Sequence, residues 1–436
     1  MSDRGSGSTG PLRADTDLEP LLERIGDAHV VMLGEASHGT HEYYAWRATL
    51  TRRLITEQGF DFVAVEGDWP DCYQVDRCVR LVEGAADDPR RVLDAFERWP
   101  TWMWANEEVV AFTTWLRAHN ERRPEQDRAG FYGLDVYSLW ESLQQILEYL
   151  QEYEPAYADT ALRAFRCFEP YREDPQAYAL STRLTPSSCE AEVVALLQRL
   201  RSDRSVRPDD GDSAVRFAAE QNAAVVVDAE RYYRAMVQGD EESWNVRDIH
   251  MADTLDRLLE HHGPEAKAVV WAHNTHVGDA RATDMARAGL VNLGQLGRER
   301  HGTDDVVLVG FAGFRGSVIA AGSWGAQMER MALPPARDDS LERQLHDDIG
   351  EPALHVFPRG DGADRAPGPA WLREEWPHRA VGVVYEPQRE RWGNYVSTVT
   401  GDRYDALLFF DDTTAVQPLH LEPPAVGEEL TYPFAV

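Results

Sequence analysis

Lysine is almost missing from this chain of 436 residues: Lys267 is the only one, and every other basic residue is arginine. A GC-rich coding bias accounts for that, and so does adaptation to high salt, where an acidic, lysine-poor surface keeps a protein soluble. Basic residues of both kinds are outnumbered by acidic ones, 44 against 75, for a formal charge of −31. A field of that sign repels phosphates and anionic lipid, which argues against nucleic acid and membrane surfaces as partners. Cysteine is also scarce. Cys72, Cys78, Cys167 and Cys189 form no C-x-x-C pair, so a zinc ribbon and a dithiol redox motif are absent. Their scarcity fits a reducing cytosol. No apolar run approaches the roughly 18–20 residues that a membrane helix needs. Residues 1–17 are polar and rich in glycine and serine, which reads as a loose tail and not as a signal peptide or anchor. A cytoplasmic location follows as the default. The phosphate-cradling patterns G-x-x-x-x-G-K-[ST] and G-x-G-x-x-G are missing as well, so no nucleotide cofactor is indicated.

What the chain does contain is a series of strand-like apolar runs, each ending in polar residues or glycine. They are His29–Leu33, Phe60–Val65, Gly130–Leu134, Ala268–Ala272, Asp305–Phe311, Ser317–Ala321, Ala380–Tyr385 and Tyr404–Phe410. The early runs are separated by helical patterns such as Tyr43–Gln58, where Trp46, Leu50 and Leu54 share a face. Alternating strands and helices predict an α/β fold built on a mixed, largely parallel central sheet flanked by helices. From Leu139 the reading changes. Leu139–Tyr153, Ala191–Leu200, Phe217–Val237 and Val246–Leu259 are helical with no strand between them, which predicts a helical cap or insertion. The expected organisation is a tail over 1–17, a first core part over 18–137, the helical insertion over 138–259 and a second core part over 260–436. That length exceeds the limit of about 250–300 residues for one hydrophobic core. Ser202–Asp212 and Arg359–Pro369 read as polar surface connections.

The chemistry-bearing residues gather at strand ends. Leu33 is followed by Gly34-Glu35-Ala36-Ser37-His38-Gly39, Val65 by Glu66-Gly67-Asp68, Leu134 by Asp135, and Trp271 by Ala272-His273-Asn274-Thr275-His276. Side chains just past the carboxyl ends of strands line the ligand crevice of an open α/β sheet. A carboxylate three residues from an imidazole is candidate acid/base chemistry, and histidine titrates near neutrality. Taken singly, a glutamate that caps a helix or a histidine that bonds backbone explains each turn equally well. Four successive strands ending in ionisable residues favour function, with Asp135 the weakest member because aspartate often caps a helix. Arg47, about two turns into the following helix, leans back toward the turn and can reach Glu35, Glu66 or a substrate oxygen. Glu35-x-x-His38 matches the E-x-x-H of di-iron bundles, but it stands on a strand exit and not inside a helix. No H-E-x-x-H is present, so a metal is not expected. Ala321-Gly322-Ser323-Trp324-Gly325 approaches a nucleophile elbow, with Asp411, Asp412 and His420 following in the right order. A plain glycine-containing loop explains it better.

As a set, Gly34 to Gly39, Arg47 nine positions beyond His38, Val65-Glu66-Gly67-Asp68 and Trp271 to His276 resemble the erythromycin esterase family. The resemblance runs from about Asp27 to about Ala415. It implies an α/β core with a helical cap and hydrolysis of a lactone by water, with His38 as general base. It further implies that Glu35, Arg47, Glu66, His273 and His276 line one pocket. The working expectation is therefore an ester or lactone hydrolase without a cofactor, acting on a small molecule. Glu35, His38, Glu66 and His273 are expected in catalysis, and Arg47, Asp68, Asp135 and His276 in substrate binding. Glu35 or Glu66 would orient His38, and His273 with Arg47 would stabilise the oxyanion. Trp102, Trp104 and Phe112 can add apolar walls, though such spacing more often marks core. The alternatives are a metal-dependent hydrolase on the same residues and a non-catalytic small-molecule-binding domain. A haem pocket is disfavoured by the acidity of the rim.

Overall fold

A computed structural model describes residues 7–171, 175–184, 188–202, 213–238, 242–358 and 368–420. They form two compact units, one drawn from Met1–Val65, Val75–Phe131 and Leu258–Val436, the other from Glu66–Gln74 and Tyr132–Arg257.

The first unit is organised on a sheet. In chain order the strands are β1 Ser8–Pro11, β2 Val30–Leu33, β3 Phe62–Asp68, β4 Gly130–Asp135, β5 Ala268–Trp271, β6 Val306–Ala321, β7 Met328–Leu333, β8 Ala353–Val356, β9 Glu375–Arg379, β10 Tyr395–Val399 and β11 Ala406–Thr413. Nine of them make one sheet, in the order β1-β8-β11-β6-β2-β5-β3-β4 with β7 added to β6, while β9 and β10 pair separately. The centre is parallel: β2 lies between β5 and β6, β3 follows β5, and β11 follows β6. Pairings of β1 with β8, β8 with β11 and β6 with β7 are antiparallel. Every residue of β2 and β5 is buried, as expected of parallel strands covered on both faces, and this is why they read as unbroken apolar runs. The sheet is thus the mixed, mostly parallel α/β sheet expected.

Several local expectations are corrected. Asp305–Phe311 and Ser317–Ala321 are one strand, β6, which pairs β11 over Val309–Gly316 and β7 over Gly316–Ala321. The glycines between them are not a turn. Gly316 has φ +146°, and a side chain there would collide with Thr413, so glycine lets the strand pass close to β11. Ala380–Tyr385 is not a strand; it makes only isolated bridges, Ser37 with Val381 and Ala321 with Val384. Part of the expected tail over 1–17 is ordered: Ser8–Pro11 pairs with β8 and Leu12 is buried, while residues 1–6 lie outside the described residues. Exposed Ser8, Thr9 and Pro11 give that strand no apolar signature. The expected connections at Ser202–Asp212 and Arg359–Pro369 lie, apart from their ends, outside the described residues.

The second unit is helical. Leu139–Tyr153, Ala158–Phe168, Pro175–Leu184, Glu190–Ser202 and Ser213–Gln238 pack around one apolar core. Leu139, Leu143, Ile146 and Leu150 recur at helical spacing and supply one face of it. A disulfide joins Cys167 to Cys189, whereas Cys72 and Cys78 are buried thiols. The bridge departs from the reducing-cytosol reading of cysteine scarcity; helix packing, not sequence spacing, brings the two together. Among the described residues, no helix is long and apolar enough to cross a membrane.

Candidate active site

The turn after β2 is buried from Gly34 to Thr40, and a buried turn must satisfy its own backbone. It does so through distant partners. The carbonyl of Glu35 accepts from Asn274 N (2.9 Å), that of Ala36 from Val381 N (2.8 Å), and that of Gly39 from Ile319 N (3.1 Å) and Val416 N (3.0 Å). The carbonyl of His38 accepts from the Tyr44 hydroxyl at 2.7 Å. Ala380–Tyr385 therefore acts as a clamp on this turn, which explains an apolar run that joins no ladder. Gly34 is required by close approach: a Cβ there would fall 2.1 Å from Asn274 Oδ1. That oxygen is held by Phe311 N at 3.2 Å and is not free to swing aside. Gly34→Ala is expected to cost about 1–3 kcal/mol through overpacking. Equilibrium unfolding in urea measures it, and an unchanged midpoint would show that Asn274 yields.

On this scaffold Glu35 and His38 meet. Nδ1 of His38 donates to Glu35 Oε1 at 2.9 Å, and Arg47 Nη2 donates to Glu35 Oε2 at 2.8 Å. Glu35 is 1% exposed, His38 4% and Arg47 0%. The helix His41–Glu57 places Arg47 so that its guanidinium lies over the rings of Tyr44 (4.3 Å) and Trp271 (5.3 Å). Arg47 thus reaches Glu35, one of the partners open to it by geometry. A carboxylate bound by Arg47 makes Nδ1 of His38 the protonated nitrogen and leaves Nε2 as the basic one.

His273 follows β5, which is adjacent and parallel to β2, so both turns leave the same edge of the sheet. Its ring centroid is 4.8 Å from that of His38. Thr275 faces Nδ1 of His273 with its hydroxyl (2.8 Å) and its N–H (3.3 Å). An N–H only donates, so Nδ1 accepts and the proton of the neutral ring sits on Nε2. The two imidazoles therefore have opposite tautomers, one basic at Nε2 and the other a donor there. His276 is buried further along the short helix Asn274–Val277.

Glu66, Asp68 and Asp135, at the ends of β3 and β4, belong to the second unit and are buried. Arg247, on the helix Glu242–His262, donates to Glu66 Oε1 at 2.7 Å and to both oxygens of Asp135 at 2.9 and 2.6 Å. Its guanidinium also lies 4.8 Å from the Tyr137 ring centroid. Burial by itself pushes the Asp135 carboxyl up, but the Arg247 charge and hydrogen bonds hold it below its ordinary value. A carboxyl depressed in the fold stabilises above its unfolded pKa and loses that contribution as pH falls through the folded value. Acidification below about pH 4 should therefore weaken the protein. In Arg247→Ala burial and the Glu66 charge push Asp135 up against the Val136 amide alone, and that variant should lose less on acidification. Urea midpoints across this pH range test the contrast; parallel curves would refute it. Sequence reading missed Arg247 because it stands in a cap-like helix, far along the chain from both carboxylates.

The serine alternative is not assembled. Ser323 is exposed between β6 and β7, while Asp411 pairs with His346, Asp412 with Arg315 and His420 with Asp94. Trp102, Trp104 and Phe112 are buried core: Trp102 packs on Trp99 and Phe112 on Trp271. Among the described residues, no group of three or more His, Cys, Asp or Glu side chains is arranged to hold a metal.

Comparison with known proteins agrees with this fold. Erythromycin esterase type II of Escherichia coli is 24% identical over 359 residues, covering 76% of this chain and 80% of that protein. A solved Bacillus cereus protein has a TM-score of 0.77 at 20% identity, over 94% of this chain and 97% of its own. A succinoglycan biosynthesis protein has a TM-score of 0.75 at 20% identity, over 94% and 95%. A mutant of the erythromycin esterase EreC, in its open conformation, has a TM-score of 0.68 at 18% identity, over 95% and 100%. At such identities the structural likeness is one of fold. The family model for erythromycin esterase matches residues 55–413, a span that begins after Glu35, His38 and Arg47 and includes the turn of His273. With most of its length so matched, the chain belongs to the erythromycin esterase family.

Proposed function

We propose that this protein hydrolyses a carboxylic ester or lactone with water activated by His38. Family membership supports an esterase role. One observation carries the mechanism: Glu35 holds Nδ1 of His38, whose ring packs against His273. Nε2 of His38 takes a proton from water, and the water oxygen attacks the carbonyl carbon. Nε2–H of His273 faces the oxyanion, a role worth roughly 3–4 kcal/mol in comparable sites. Collapse of the intermediate breaks the C–O bond, and His38 returns its proton to the leaving alkoxide. One ester and one water give one acid and one alcohol, with no covalent enzyme intermediate. Arg47 holds Glu35 in its orientation instead of touching substrate. A catalytic part for Glu66, substrate contacts for Asp68, Asp135 and His276, and a cytoplasmic location are carried as parts of the same proposal.

The names of the E. coli relative and of EreC make erythromycin a first substrate to try. Purified protein would be incubated with erythromycin and with p-nitrophenyl butyrate, before and after chelation. Addition of one water to the macrolide, or release of nitrophenol, that survives chelation supports the proposal. Activity lost on chelation and restored by a divalent metal favours the metal-dependent alternative. Binding without turnover favours the non-catalytic one.

A further inference from the structure

Behind His273 stands a second glutamate–histidine pair that the reaction above does not use. Glu342, in the first turn of the helix Leu341–Asp348, and His378, on β9, have wholly buried side chains. Nδ1 of His378 donates to Glu342 Oε1 at 2.6 Å, and the Arg379 amide donates to the same oxygen at 2.9 Å. Burial by itself pushes the Glu342 carboxyl up, yet His378 and Arg379 hold it below the usual value. Glu342 is thus a charged acceptor, and the His378 proton stays on Nδ1.

Asn274 meets the other side of that ring. The main chain of β6 fixes its carboxamide: Oδ1 accepts from Phe311 N at 3.2 Å and Nδ2 donates to Phe311 O at 2.7 Å. The second Nδ2 hydrogen remains, and Nδ2 lies 3.3 Å from Nε2 of His378. The carboxamide hydrogen on that side points to Nε2 of His378 as its acceptor. Asn274 directly follows His273, and its own N–H holds the carbonyl of Glu35. One residue is therefore shared by the turn of His273, the turn of His38, through its main-chain N–H, and the buried pair, through its side chain.

We propose that Glu342 and His378 are positioning residues for the His38–His273 pair, acting through Asn274. The proposal rests on reading that pair as the catalytic centre. Without the His378 acceptor, Asn274 keeps a buried hydrogen unpaired and its carboxamide loses one of three restraints. Loosening of the carboxamide from Phe311 lets residue 274 shift, and with it the main-chain N–H that holds the Glu35 carbonyl and the adjoining His273 turn. Misplacement of about 1 Å at a reacting centre can cost about 10²-fold in rate.

The test uses the intact chain and p-nitrophenyl butyrate. His378→Leu should lower kcat by about 10–100-fold with KM nearly unchanged, while His378→Gln, which keeps an acceptor for Asn274, should recover most of the loss. The ring-nitrogen NMR signals of His38 and His273 should move in His378→Leu although neither residue is replaced. Should His378→Leu fail to fold, Glu342→Gln carries the test; it keeps the acceptor oxygen, loses the charge and should give smaller changes of the same kind. A lower melting temperature with kcat and both ring signals unchanged would make the pair merely structural and overturn the proposal. Full activity in His38→Ala would sink the reaction proposed above instead. Shifted ring signals in His378→Leu would still support the coupling.

Discussion

His38→Ala should turn over ester or lactone about 10²–10⁴-fold more slowly than the parent chain, the usual cost of losing a general base. The fold should survive, because Glu35 keeps its charge partner in Arg47 and the backbone of the turn is held from four other segments. Ser323→Ala, by contrast, should leave the rate unchanged, since that serine is exposed on a connection between two strands and its supposed partners are engaged elsewhere. Initial rates on p-nitrophenyl butyrate and on erythromycin, read beside an unfolding curve for each variant, decide the matter. Loss of activity in Ser323→Ala with retention in His38→Ala would move the chemistry to the serine.

Arg47→Ala should have the largest effect on stability. The Arg47–Glu35 pair has essentially no exposed surface, and a buried carboxylate stripped of its partner typically costs about 3–5 kcal/mol. The loss includes the packing of the guanidinium on Tyr44 and Trp271. Replacing both charges separates the terms. In Glu35→Gln/Arg47→Met no uncompensated charge remains, and the glutamine oxygen still accepts from His38. Stability should return for the most part, because well-packed neutral replacements of buried ion pairs are often near neutral. Activity should not, because an amide stabilises the imidazolium less than a carboxylate does. Urea unfolding of the two variants measures the first statement and kcat the second. Equal stability of the single and double variants would mean that the buried charge is not what costs.

The parts of this fold that were legible in the sequence are those decided locally. β2 and β5 are short and wholly apolar, the first ended by Gly34 and the second, one alanine on, by His273, so burial on both faces shows in four residues. Glu35, His38 and His273 were legible because a charge directly after such a run has few places to go. β9 was not. It carries Glu375, His378 and Arg379, and the buried histidine and arginine are tolerated only because Glu342 and Glu390 meet them in space. A period-2 reading has no access to partners supplied from other elements. Arg247 was hidden for the same reason. Arg47 was visible because its partner lies on the same strand–turn–helix unit, where helix geometry alone brings the guanidinium back to Glu35.

The buried turn after β2 also sets when the catalytic centre can come into being. Glu35 and His38 leave the ribosome early, but the donors to the carbonyls of their turn, Glu35 to Gly39, lie at Asn274, Ile319, Val381, Val416 and, nearby, Tyr44. At synthesis rates of about 5–20 residues per second, Val416 follows Glu35 by roughly 20–80 s. During that interval the turn gains its distant restraints one after another, and β2 has neither neighbouring strand until β5 and then β6 emerge. The centre is thus a late product of the whole chain and not of its first segment. A nascent or prematurely ended polypeptide that stops before Thr414–Val416 carries every proposed catalytic side chain, yet lacks the Val416 N–H that holds the carbonyl of Gly39, next to His38.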